Sequence, residues 1–236
     1  MRHSVHSIFY DQAEAHEAAG RYDSALELLY QLHRWVPDDP NYWLRLGLLS
    51  LQMTAPGWLR EHGRDSSHVG DMALLNADVY LERAASLGVS DPTPLLWRAW
   101  LHQQRLGNFT LAESLLGSAL KRNPRWPYAL AALGRLELAR AEPGYPLRAL
   151  RWLNEAAHVL PESARLHYDR GVALVACENF FDAREAFQTA VRTPSLSASR
   201  DLLTTMLTEE FHGHAPHLRE LVARYYPSVY RAMEST

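Results

Sequence analysis

PLLWRAWLHQQRLGNFTLAESLLGSALKRNP, residues 94–124, reads as two amphipathic helices joined by a tight turn. Pro94 to Leu101 opens the first helix, Gly107-Asn108-Phe109 makes the turn, and Leu111 to Leu120 continues as the second. A glycine in the turn admits a positive φ at the end of the first helix. Asn123-Pro124 ends the second, because proline cannot extend a helix. Ala112 and Ala119 lie seven residues apart, two helical turns, and so share one face. Small side chains on that face let the paired helices approach closely.

The alanine pair recurs. Ala25/Leu32, Ala77/Ala84, Ala112/Ala119, Ala149/Ala156 and Ala183/Ala190 share its spacing, with Leu32 the one bulky member. Successive first members lie 52, 35, 37 and 34 residues apart, and 52 is 34 with 18 residues inserted. Pro37, Pro124 and Pro161 follow the second member by five residues, Pro194 by four and Pro92 by eight. A period near 34 predicts stacked helical hairpins.

These features resemble the tetratricopeptide repeat. Trp43-Leu44-Arg45-Leu46-Gly47 carries the family's first-helix aromatic, aliphatic and glycine. Leu130, Leu133 and Gly134 repeat most of it, and Gly171 recurs in the fifth unit. Gly20-Arg21-Tyr22-Asp23-Ser24-Ala25 matches the turn and the start of the second helix. Asn179, Phe180 and Ala183 do so less fully, with Glu178 where the turn glycine is usual. The third unit has Trp100 where a small residue is expected. The resemblance implies an all-α, right-handed superhelical solenoid of about five hairpins over residues 1–195. The expected units are 7–39, 40–91, 93–126, 127–162 and 164–195. An inserted polar loop at 54–71 carries Trp58 and Arg60, and residues 196–236 are expected as C-terminal capping helices.

Composition narrows the function. A net charge of −3 gives no electrostatic basis for nucleic-acid binding. Lys121 is the only lysine among 24 cations, so arginine supplies nearly all the positive charge. Cys177 is alone, which excludes a disulfide framework and a cysteine metal site. The first twenty residues lack the apolar core of a signal peptide, and no apolar run approaches the length of a membrane span. A cytoplasmic, bacterial protein without membrane insertion is expected.

No enzyme motif is present. His16-Glu17-Ala18-Ala19-Gly20 starts like a zinc-protease helix but has Gly20 where the second histidine must coordinate. There is no phosphate-binding glycine loop, nucleophile elbow or Cys-x-x-Cys. His212-Gly213-His214-Ala215-Pro216-His217 gathers three imidazoles, and it reads as a polar loop rather than a metal site. No cofactor and no metal are expected.

In the tetratricopeptide family the first helices line a concave groove. Carried over, the resemblance implies a partner-binding groove of Tyr10, Asn41, Leu44, Arg45, Leu48, Trp97, Arg98, Leu101, Arg105, Tyr128, Arg135, Arg165 and Tyr168. Arginine among Leu, Trp and Tyr suits an extended peptide or partner helix with acidic and apolar residues. Leu44 and Leu48 stand where the family's carboxylate clamp has Lys and Asn, so chaperone-tail binding of that type is not expected. The expected function is a non-enzymatic scaffold or adaptor for a protein or peptide. A chaperone or assembly factor of a bacterial secretion or envelope system is its narrower form. The alternatives are a self-associating structural component, and a metal-responsive protein using the His212–His217 loop.

Overall fold

The structure is a computed structural model that describes residues 5–54, 66–140 and 142–193, with Arg224 besides. Ten α-helices run through the described residues: α1 Val5–Ala18, α2 Tyr22–Leu32, α3 Pro40–Gln52, α4 Ser66–Leu87 and α5 Thr93–Gln104, then α6 Phe109–Arg122, α7 Pro127–Arg140, α8 Tyr145–Val159, α9 Ala164–Ala176 and α10 Phe180–Arg192. The helix α4 begins at Ser66, so the last six residues of the segment expected as an inserted loop are helical. Trp58 and Arg60, the C-terminal segment expected as capping helices, and His212–His217 lie outside the described residues.

Local chemistry starts and stops these helices. Asp39, Asn108, Ser163 and Asn179 cap α3, α6, α9 and α10, each side chain accepting from a backbone N–H of the first turn. Such a bond satisfies one of the donors that a helix start leaves open. The turns need a left-handed residue. Gly20 supplies it at φ 71° and Gly107 at φ 62°, and Glu178 adopts φ 58° without a glycine's freedom.

Chain contacts divide into two compact units, Met1–Arg105 and Leu106–Thr236. In the first, α1 packs on α2 and α3 on α4, around Ala13, Leu29, Leu32, Tyr42, Leu46 and Leu49. In the second, α7 packs on α8 and α9 on α10, around Leu130, Leu153, Leu166, Val172 and Phe187. The division falls inside the third expected repeat. It is also the repeat in which Trp100 takes the place held elsewhere by Ala13, Gly47, Gly134 and Gly171.

The paired alanines do what their spacing predicts. All ten members of the five pairs are buried. Four residues after each first member stands a bulky side chain, Leu29, Leu81, Leu116, Leu153 or Phe187. Three of these side chains enter a first-helix glycine. A Cβ on Gly47 would lie 2.7 Å from Leu81 Cγ, and one on Gly134 2.5 Å from Leu153 Cγ. One on Gly171 would come within 2.8 Å of three atoms of the Phe187 ring. The missing side chain on one helix is therefore the space for the large side chain on the other. Each fully buried Leu or Phe contributes about 1.5–3 kcal/mol.

Candidate interaction surface

First-helix residues of the first unit meet their neighbours through ion pairs. Arg45 on α3 donates from Nη2 to Glu17 Oε1 on α1 at 2.7 Å, and its guanidinium lies over the Tyr10 ring. The Tyr10 hydroxyl donates to Asp39 Oδ2 at 3.3 Å. Burial, then the nearby Asp39 carboxylate, push that phenol up to about 12. Asn41 is exposed, and Leu44 and Leu48 are half-buried. These five residues, with Tyr10 half-buried, are accessible positions of the expected surface in this unit.

Farther along the unit the pairing becomes denser. Arg98 on α5 grips Asp78 on α4 with two bonds, Nε to Oδ1 at 2.7 Å and Nη2 to Oδ2 at 3.3 Å. Its Nη1 reaches Glu82 Oε1 at 3.0 Å, and His102 Nε2 approaches Asp78 Oδ1 at 3.0 Å. Burial acts to raise the Asp78 carboxyl, but the bonds and charges of Arg98 and His102 outweigh it and hold the group below its usual range. Arg98 is thus a strut between α4 and α5 rather than an open groove cation. Trp97 and Leu101, expected on the groove, are 2% and 0% exposed and belong to the packed interior. Arg105 stays exposed, with Nη2 3.4 Å from Thr54.

The second unit holds its charges deeper. Asp169 on α9 is fully buried and accepts from two arginines, Arg135 Nε on α7 at 2.6 Å and Arg165 Nε at 3.2 Å. Burial dominates at Arg135 and lowers its pKa, with the Asp169 charge opposing. Tyr168 is buried against Phe187, ring centroids 5.6 Å apart, with the Arg165 guanidinium over its own ring. Arg135, Arg165 and Tyr168 are therefore interior residues, a second correction to the expected groove. Tyr128 remains half-buried, its ring edge-on to Trp126.

No repeat spacing announces the buried triad: Arg135 stands one residue after Gly134, whereas Asp169 stands two before Gly171, so the two differ in register. A first helix packs against neighbours on both flanks, which leaves only a narrow stripe open. Among the described residues no three His, Cys, Asp or Glu side chains gather as a metal site. No described helix is long and apolar enough to cross a membrane.

Residues 7–49 match the family profile of the tetratricopeptide repeat. No curated protein sequence matches the chain. Among solved structures the chain is similar to MamA, with 16% identity and a TM-score of 0.57 over 83% of this chain and 95% of that one. MamA residues 41 to the end from Desulfovibrio magneticus RS-1 give 17% identity and the same TM-score, covering 83% and 96%. YrrB, described as a tetratricopeptide protein with an unusual peptide-binding site, gives 17% identity and a TM-score of 0.52, covering 83% and 88%. The chain carries a tetratricopeptide repeat, and its all-α fold is that of tetratricopeptide-repeat proteins.

Proposed function

We propose that this chain is a non-enzymatic interaction scaffold that holds a protein or peptide on the first-helix side of its hairpins. The observation that carries the reading is the repeat itself: successive first helices present one register again and again, a geometry suited to an extended partner. In the first unit Tyr10, Asn41, Leu44 and Leu48 are the contact residues, with Arg45 held in place by Glu17. In the second, Tyr128 contributes separately. Likeness to YrrB favours a peptide as the occupant. The partner's own acidic groups matter less than arginine content suggests, because Arg98, Arg135 and Arg165 are engaged within the chain. Service as a chaperone or assembly factor in the cytoplasm is the narrower form of the same proposal.

Affinity capture from a native lysate with wild type and Leu44→Asp tests it, folding being checked by circular dichroism. A protein retained by wild type and lost from the variant supports the first-helix site. An identical set of captured proteins refutes it.

A further inference from the structure

Met72, Leu75 and Val79 on α4 are 57%, 60% and 59% exposed. Their spacing of three and then four residues puts them in one line along the helix. Three large apolar side chains thus form an outward ridge. Beside it opens a hollow of about 380 Å³ between α2, α3 and α4, walled by Leu26, Tyr30, Met53, Met72 and Ala73. The hydroxyls of Tyr30 and Tyr80 meet at 3.2 Å and tie α2 to α4. Methionine side chains are unbranched and polarizable, so Met53 and Met72 can shape the hollow around a guest.

The ridge also has an acidic edge. Asp71, Asp78 and Glu82 follow one another along its side away from the hollow; Asp78 and Glu82 share the single guanidinium of Arg98, and His102 also meets Asp78. That leaves the edge net negative.

We propose that this second-helix face docks an amphipathic helix of a partner protein. The partner's apolar stripe covers Met72, Leu75 and Val79, one large side chain enters the hollow, and Lys or Arg residues run along the Asp71–Glu82 edge. Helix-in-groove recognition uses this combination of apolar anchors and flanking charge. Charge selects the occupant. In an antiparallel two-fold pairing of two α4 helices each edge meets its own copy, so carboxylates would oppose carboxylates. An anionic lipid surface would meet the same negative edge.

The test uses the full chain and two labelled synthetic helices, both with leucine and methionine on one face. One carries lysine along an edge, the other glutamate at the same positions. Fluorescence anisotropy should show the lysine peptide binding and the glutamate peptide at least about tenfold weaker. Leu75→Ser should weaken the lysine peptide by a similar factor, and Asp71→Lys should narrow the difference between the two. Leu147→Ser, at another exposed leucine on α8, should change nothing. Leu44→Asp should also change nothing, which separates this face from the first-helix site. Equal binding of both peptides, no binding of either, or indifference to Leu75→Ser would overturn the proposal. So would a concentration-dependent mass without peptide that Leu75→Ser abolishes, because a second copy would then be the occupant.

Discussion

Replacing Gly171 by alanine tests whether the space left by a missing side chain holds the hairpins together. Alanine is the better helix former by about 1 kcal/mol, so in open surroundings the change stabilises. Gly117 on α6 provides those surroundings, since a Cβ there meets nothing within 4 Å. At Gly171 the same Cβ would come within 2.8 Å of three atoms of the Phe187 ring. That ring is fully buried and rests against Tyr168, so it cannot swing clear. Overpacking of this kind costs about 1–3 kcal/mol, which cancels or exceeds the gain in propensity. Gly171→Ala should therefore lie about 1–3 kcal/mol below Gly117→Ala in stability. Urea unfolding followed by circular dichroism reads the difference as a shift in midpoint at constant slope. Adding Phe187→Leu to Gly171→Ala should remove part of the penalty, because the shorter side chain leaves room for the methyl group. If Gly171→Ala raises the midpoint as far as Gly117→Ala does, the close packing of α9 on α10 is wrong.

Glu178→Gly should stabilise by about 1 kcal/mol, because a left-handed residue with a side chain is strained and glycine is not; Glu178→Ala, retaining the Cβ, should show little of this gain in the same unfolding assay. Asp169→Ala should destabilise by about 3–5 kcal/mol, since two buried guanidiniums lose the carboxylate between them. The Asp78 carboxyl is held below its unfolded value, so its contribution is present above about pH 4 and is lost as pH falls through its folded value. The gap in stability between wild type and Asp78→Asn should accordingly be constant near neutrality and shrink in acid, as followed by denaturation at stepped pH. Arg98→Glu should lower stability, because it would set a third carboxylate beside Asp78 and Glu82.

The hairpins were legible because their signals are local and repeated. Spacing located the paired small residues, and the turn motifs at Gly20, Gly107-Asn108 and Asn179 marked the hairpins, and these are backbone or close-packing requirements that tolerate few substitutes. Which first-helix residues stay open was harder to read. Trp97, Leu101 and Tyr168 have the chemistry of contact residues, yet neighbouring helices cover them. Arginine misled in a particular way, because a guanidinium serves equally as a partner's anchor and as a strut to a carboxylate in the next helix. Along α4 the opposite ambiguity holds: Met72, Leu75 and Val79 have the spacing of core residues and face outward.

Pairing of the first-helix arginines bears on how fast a partner could arrive. A cation such as Arg45, already joined to a carboxylate 2.7 Å away, presents a small dipole to the solvent, not a net charge. Its field decays quickly with distance and gathers few ligands from afar. Association at the first-helix side should then be paced by orientation, at about 10⁵–10⁷ M⁻¹s⁻¹, and should vary little with ionic strength. The α4 edge, with carboxylates in excess, should capture a cationic helix faster in dilute buffer than in salt. Two faces of one small protein would thus answer differently to the same change of medium.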